Sequence, residues 1–298
     1  MNLRRSTTIL IGLLACTLLA FTEVRAESQS IQFSPEQQQM LKSITPAQII
    51  YLGEIHDSTA DHADQLAILE HLYQQKSTAI PPLAIGLEMF QKPYQPIIDQ
   101  YLAGKISERQ LVERTEYKKR WGWPWENYAP LLRFAKAHQI PVIALNTPTE
   151  VLRKVSKGGL DSLELTDFQY IPPTTEIDKS DLIYRGLILE SYQQHKAQAV
   201  ATSPDFDRFY TAQLLWDETM AATAAEFYQQ YPKTQLVVIA GQAHIRYGYG
   251  IPRRVARRLA KNPYTQKSVI LSSDEKWEPS IADFLFRPMQ KKEPPLPN

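Results

Sequence analysis

The sequence lacks several features that would assign it directly to a class of protein. Cys16 is the only cysteine in 298 residues, so no intramolecular disulfide framework can form. Basic and acidic residues balance at 33 and 32, and a net charge of +1 leaves no electrostatic footprint for a nucleic-acid partner. There are no internal repeats, and no His-Glu-x-x-His, Gly-x-Ser-x-Gly or phosphate-cradling glycine loop. These absences exclude the common hydrolase and nucleotide-binding signatures, while a 43% hydrophobic content supports a sizeable core.

The N-terminus has an apolar run, but a short one. Residues 9–21 are apolar, Arg4 and Arg5 precede them, and Val24-Arg25-Ala26 follows. A charged start, an apolar segment shorter than the ~20 residues of a membrane span and a small-residue cleavage site make up a secretory signal peptide. We therefore predict that residues 1–26 direct export of the chain.

Cys16 suggests a second way in which the exported chain could be processed, by attachment of a lipid. Residues 13–16 (Leu-Leu-Ala-Cys) form an acceptable lipobox, which would make Cys16 a lipidated N-terminus. Residues 17–21 stay apolar, whereas lipoproteins usually turn polar after the cysteine. Cleavage after Ala26 and anchoring through Cys16 both stay open, and both predict a periplasmic or cell-envelope protein. Membrane association is expected only through a lipid anchor or an uncleaved signal.

Five short apolar runs predict the strands of a buried sheet. They do not alternate with polar residues, as is typical of parallel strands covered on both faces. The runs are residues 49–52, 83–87, 142–145, 236–240 and 269–271. Amphipathic segments lie between them, and Ser107 with Gln110 forms the pattern of a helix-starting capping box. The pattern predicts an α/β fold with a mostly parallel central sheet flanked by helices.

The connection from residue 146 to residue 235 is too long for a simple crossover. We expect it to hold a helical insertion over about residues 160–234, before the penultimate strand. Residues 30–290 are predicted to form a single domain, and residues 291–298 a disordered, Pro-rich tail.

Polar side chains follow four of the predicted strands. Glu54 and His56 follow the first, Glu88 the second, Asn146 the third and His244 the fourth. In an open parallel sheet, ligands bind outside the carboxyl ends of the strands, so these side chains are expected to share one site. One such residue would more often merely cap a helix, but four strands in succession favour a functional site. Two histidines and two glutamates suit a divalent metal such as zinc, although their scattered spacing assigns no ligand.

The segment after His244 predicts a second kind of ligand group. Tyr247 and Tyr249 alternate with glycines, and Arg246 and Arg253 flank them. A tyrosine can bind a ferric centre as phenolate, and arginines pair with carboxylates, so the segment suits a planar anionic ligand. The plainer interpretation is a glycine turn before a basic helix face.

Three tryptophans crowd into five residues. Trp121, Trp123 and Trp125 are separated by Gly122 and Pro124, so they cannot all face one core from a regular element. Some of them are expected to line a pocket or an oligomer contact.

Several of these blocks resemble, in order, those of the ChaN-like haem-binding lipoproteins of the Tiki superfamily. The resemblance covers about residues 49–270. The blocks are Gly53-Glu54-Ile55-His56-Asp57, Gly86-Leu87-Glu88-Met89-Phe90, Trp123-Pro124-Trp125-Glu126-Asn127-Tyr128, Gly241-Gln242-Ala243-His244 and Gly250-Ile251-Pro252-Arg253.

The resemblance implies a cell-envelope α/β protein linked to haem or iron uptake. It further implies haem as the cofactor, a tyrosine as its ligand and a homodimer with paired haems at its interface. The cofactor-binding residues expected on this basis are Tyr247, Tyr249, His244, Arg246, Arg253 and Tyr128.

The same superfamily includes hydrolases, among them membrane-tethered metalloproteases and erythromycin esterases. The alternative function is therefore an esterase or peptidase with Glu54, His56, Glu88 and His244 as catalytic residues. A histidine would act as base, or a divalent metal such as zinc would activate water.

Overall fold

The computed structural model describes residues 33–75, 82–195, 203–271, 278 and 280–287. The predicted signal peptide, Cys16 and the predicted tail lie outside these residues. Among the helices that are described, none combines the length and the apolar character that a bilayer crossing requires.

Six strands form one parallel sheet in the described part of the chain. In the order of the sheet they run β3-β2-β4-β1-β5-β6. Their bounds are β1 (Ile49–Glu54), β2 (Leu83–Gln91), β3 (Val142–Asn146), β4 (Gln235–Gly241), β5 (Gln266–Leu271) and β6 (Phe284–Phe286). The predicted α/β class and parallel sheet are confirmed.

Helices cover both faces of this sheet. The α-helices among the described residues are α1 (Pro35–Ile44), α2 (Thr59–Gln74), α3 (Gln95–Leu102), α4 (Glu108–Arg114), α5 (Tyr117–Arg120), α6 (Trp125–Ala137), α7 (Thr149–Gly158), α8 (Leu182–His195), α9 (Pro204–Gln230) and α10 (Ile251–Arg258). One apolar cluster joins β-strand residues to α1, α2, α3 and α6, and a second joins the opposite face to α9 and α10. A third cluster joins α7, α8 and α9.

Strand β1 lies inside the sheet, between β4 and β5, and all six of its residues are buried. Burial on both faces explains why its sequence is an unbroken apolar run rather than an alternating one. Its register with β4 sets Gly53 opposite Ala240 and Glu54 opposite Gly241. The register therefore brings the carboxyl ends of β1 and β4 together.

The structure differs from the expected strands in two local details. Strand β2 continues past residue 87 to Gln91, with a register shift against β3 after Leu87, so Glu88 lies within the strand. Strand β6 was not expected, since three residues are too few for a recognisable run, and it makes β4 the third strand from the end.

The predicted capping box at Ser107 is confirmed. The Ser107 side chain accepts from the backbone N–H of Gln110, and the Gln110 side chain accepts from that of Ser107. Helices α8 and α9 lie in the long connection before β4, as expected. The bounds of the insertion and of the single domain stay predictions.

Candidate functional site

The structure brings four of the predicted side chains together at the carboxyl ends of β1, β2 and β4. Nδ1 of His56 lies 2.8 Å from Oε1 of Glu54, and Nε2 of His244 lies 3.4 Å from Oε1 of Glu88. The two pairs meet at Gly241, whose backbone N–H donates to Oε2 of Glu88 at 2.7 Å. A Cβ at Gly241 would lie 3.0 Å from Nε2 of His56 and 3.6 Å from Oε2 of Glu88. We call these five residues, together with the side chains that form hydrogen bonds with them, the polar centre.

Glu54 is the buried anchor of the first pair, with 1% of its surface exposed. Its Oε1 accepts hydrogen bonds from His56 and from the Tyr128 hydroxyl, which lies 2.5 Å away. Its Oε2 accepts from the Gln65 side chain, and Nδ1 of His62 lies 3.4 Å from the same oxygen. A carboxylate only accepts, so the Nδ1 atom of His56 carries the proton in this contact.

His56 faces outward from the polar centre. Burial alone would lower the pKa of His56, but the hydrogen bond to Glu54 and the charge of Glu88 raise it above 6.5. The Trp121 ring lies 4.8 Å from the imidazole and the Trp123 ring 5.6 Å. Two of the three clustered tryptophans therefore flank the only partly buried histidine of the polar centre, while Trp125 donates its indole N–H to Glu108.

His244 lies between two buried carboxylates. Its Nδ1 atom is 2.5 Å from Oδ1 of Asp217, opposite the contact of Nε2 with Glu88. Burial would lower the pKa of His244, but the charges of Glu88 and Asp217 raise it well above 6.5. Burial would likewise raise the pKa of Glu88, but the charge of His244 lowers it below 4.5. The arrangement thus favours an imidazolium held by two carboxylates.

Asp217 was missed in the sequence. It comes from the middle of α9, is fully buried, and also accepts a hydrogen bond from the Tyr184 hydroxyl. The sequence signal for it was an acidic pair, Asp217-Glu218, inside an otherwise apolar and alanine-rich stretch of helix. Charged residues at buried positions of a helix require a partner, so such a pair marks a contact.

Asn146 also reaches the rim of the sheet. Its side-chain N–H donates to the backbone carbonyl of Glu88 at 2.8 Å. Its Oδ1 atom is buried and has no hydrogen-bond partner among the described residues, and Oε1 of Glu88 has only the ion pair with His244. Buried acceptors without partners are uncommon in native proteins, so this edge has unused capacity for a donor.

Tyr247 and Tyr249 lie on the loop that leads into α10. Tyr247 has a left-handed backbone (φ 58°), and both side chains are half-buried. The guanidinium carbon of Arg246 is 5.8 Å from the Tyr247 ring, and that of Arg253 is 5.9 Å from the Tyr249 ring. Within the described ranges, neither tyrosine hydroxyl forms a hydrogen bond. Both rings pack against apolar clusters, so it is only the hydroxyl groups that lack a hydrogen bond in that part of the protein.

Tyr128 and His244 are placed differently from those two tyrosines. Tyr128 is fully buried, and burial with the nearby charge of Glu54 raises its pKa far above 10.0. His244 is 7% exposed and has a carboxylate against each ring nitrogen. The structure thus assigns both to the polar centre rather than to the loop. No three His, Cys, Asp or Glu side chains among the described residues form a group that could hold a metal ion.

The fold and the polar centre define an α/β protein with two histidine–carboxylate pairs at the carboxyl edge of a parallel sheet. The chain belongs to the family described as "Haem-binding uptake, Tiki superfamily, ChaN", whose model matches residues 40–255. A solved structure described as "Cofacial heme binding to ChaN of Campylobacter jejuni" has a similar fold. Its TM-score is 0.65 at 19% identity, covering 83% of this chain and 90% of that one.

Two further matches are a longer curated protein and a solved structure with a lower TM-score. "Protein RETICULATA-RELATED 5, chloroplastic" of Arabidopsis thaliana is 25% identical over 266 residues, covering 84% of this chain. This chain spans 35% of the length of that protein. The structure of a mutant of the erythromycin esterase EreC in its open conformation matches with a TM-score of 0.47 and 13% identity, covering 82% of this chain and 74% of that one. That likeness is too low to support an argument about activity.

Proposed function

We propose that this protein binds haem outside the cytoplasm and takes part in haem or iron uptake. The observation that carries the proposal is the match of the haem-binding family model to residues 40–255. The proposed location is the periplasm or cell envelope, reached through residues 1–26, with or without a lipid on Cys16. A homodimer with paired haems belongs to the same proposal, by analogy with the cofacial haem named for the Campylobacter jejuni protein.

The segment 246–253, which runs from the loop into the first turn of α10, fits a haem better than the polar centre does. A phenolate ligand favours ferric iron, and the hydroxyls of Tyr247 and Tyr249 have no hydrogen bond to give up within the described residues. Arg246 and Arg253 carry positive charge beside these rings. A haem carboxylate would compete with Asp181, to which Arg253 donates at 2.8 Å. An imidazolium has no lone pair for a metal, so His244 is a poor ligand in its favoured charge state.

The test is a titration of the protein with ferric haem, followed by visible absorption. We expect new charge-transfer bands that are lost in Tyr247→Phe or in Tyr249→Phe, whichever removes the iron ligand. Tyr231→Phe is the matched control, since Tyr231 is an exposed tyrosine at the end of α9. Absent bands, or bands that survive the double Tyr247→Phe, Tyr249→Phe variant, would overturn the assignment of the loop.

A hydrolase is the second candidate, and one observation favours it. Two histidines, each backed by a carboxylate, lie at the carboxyl edge of the sheet, with His56 beside Gly241 and His244 beside Glu88, and His56 is partly exposed. His56 would serve as the base and the His244 imidazolium as the acid or charge-stabilising group. Ester or peptide turnover that disappears in Glu54→Gln and in His244→Ala would support this function. Stoichiometric zinc in the purified protein would favour its metal-dependent form, and no turnover on either substrate class would remove the hydrolase hypothesis.

A further inference from the structure

A groove of about 770 Å³ lies apart from the polar centre, between the segment 173–180, α9 and α10. Its apolar lining comes from Pro173, Ile177, Ala222 and Ala225. Its charged lining comes from three cations, Lys179, Arg257 and Arg258, and from three carboxylates, Glu176, Asp178 and Glu226. Small-molecule sites commonly measure ~300–1,000 Å³ and combine apolar walls with a few polar groups, and this groove fits that description.

Beneath the groove, three arginines converge on one fully buried glutamate. Glu218 accepts from Arg257 at 2.7 and 2.9 Å and from Arg258 at 2.6 Å, and Nε of Arg254 lies 3.3 Å away. One carboxylate cannot neutralise three guanidinium groups. The remaining compensation comes from Asp178 and Glu176, whose side chains are 40% and 49% exposed.

Arg258 has an unused binding edge. Its side chain is only 10% exposed, and its Nη1 atom donates to Glu218. Its Nε and Nη2 atoms have no hydrogen-bond partner among the described residues. These two N–H groups lie on the same edge of the guanidinium, the geometry that binds a carboxylate or phosphate with two parallel hydrogen bonds.

Glu176 occupies the approach to this edge without filling it. Its Oε2 atom is 3.4 Å from Nη2 of Arg258, but the pair does not have hydrogen-bond geometry. Glu176 belongs to a short 3₁₀ turn, Thr174–Glu176, and half of its side chain is in solvent. An oxyanion from outside can therefore replace it at little structural cost.

We propose that this groove binds a small amphiphilic anion, with its carboxylate or phosphate on the Nε/Nη2 edge of Arg258 in place of Glu176. The apolar body of the ligand lies along Ile177, Ala222 and Ala225, where small side chains leave room on the surface of α9. Lys179 adds a second positive charge at the groove. The groove is larger than an inorganic phosphate requires, which is why the ligand is expected to have a body.

The experiment compares octanoate and octyl phosphate as probes of the folded chain without added haem. Binding is followed by calorimetry and by amide shifts of Ala222 and Ala225. Wild-type protein is expected to bind at least one of the two, and Glu176→Gln to bind it about tenfold more tightly, a change of ~1.4 kcal/mol. Glu226→Gln is the matched control, because Glu226 also lines the groove but the ion pairs of Arg258 are with Glu176 and Glu218.

The two probes identify the head group, since the one bound more tightly shows whether carboxylate or phosphate is preferred. Lys179→Gln is expected to weaken binding severalfold. The proposal is overturned if neither probe binds to wild type or to Glu176→Gln. It is equally overturned if Glu176→Gln and Glu226→Gln bind alike, or if octanol or inorganic phosphate alone binds as well as the amphiphiles.

Discussion

Replacing Asp217 by asparagine tests whether His244 is held as an imidazolium. Asparagine keeps the shape of the side chain and can still accept the hydrogen bond from Tyr184, but it removes the charge 2.5 Å from Nδ1 of His244. Breaking a buried ion pair costs ~3–5 kcal/mol because the other charge is left without compensation. Since Glu88 remains beside His244, we expect a loss of about 3 kcal/mol in the free energy of unfolding near pH 6.5.

The raised pKa of His244 determines how the stability lost in Asp217→Asn should change with pH. The pKa of His244 is raised in the folded protein, so its stabilising contribution is fully present below the ordinary value of 6.5. That contribution is lost as the pH rises through the raised, folded-state value. The difference in stability between wild type and Asp217→Asn should therefore be largest near pH 6 and should narrow as the pH rises.

The measurement is urea unfolding between pH 6 and pH 10. Asp205→Asn is the control, because Asp205 lies on the same helix in an exposed ion pair with Arg208, and such pairs contribute ~0–1 kcal/mol. If Asp217→Asn loses no more stability than Asp205→Asn, or if its deficit is the same at pH 6 and pH 10, His244 is not held as proposed.

Two further predictions concern the packing at Gly241 and the cap of α4 at Ser107. Gly241→Ala places a Cβ 2.8 Å from Cε1 of His56, so we expect a loss of ~1–3 kcal/mol in the free energy of unfolding and a shift of the His56 ring resonances. Gly186→Ala is the control, because its Cβ meets nothing within 4 Å and should leave the stability unchanged or slightly higher. A loss from Gly186→Ala as large as that from Gly241→Ala would contradict the packing argument. Ser107→Ala removes the cap of α4 and should cost ~0.5–2 kcal/mol in thermal or urea unfolding, whereas an unchanged midpoint would show that Gln110 alone suffices.

The main elements of the fold were predictable because burial on both faces leaves a clear pattern. Strands such as β1 and β4 have no exposed residue, so their sequences are continuous apolar runs. Strand β6 has three residues, of which only Phe286 is buried, so no run distinguishes it. The extension of β2 through Glu88 was hidden by its polar residues, which a pattern based on hydrophobicity assigns to a loop.

The polar centre was predictable only where its residues follow strands. Glu54 and His244 occupy such positions, and the rule that carboxyl ends meet at one edge was enough to group them. Asp217 and Gln65 arrive from the middles of helices α9 and α2, and no strand end marks them. Which helix face docks over the sheet depends on tertiary packing, and a single sequence does not reveal it.

Several hydrogen bonds of the polar centre join residues that are far apart in the sequence. Partners are 27 residues apart for Asp217 and His244, 74 for Tyr128 and Glu54, and 153 for Glu88 and Gly241. Contacts of such high sequence separation form only after large loops have closed, which makes them slow to assemble. A partly assembled chain would bury ionised groups without their counterparts, so intermediates lacking any one of these elements are disfavoured. We therefore expect the polar centre to couple the sheet and helix α9 into one cooperative folding unit.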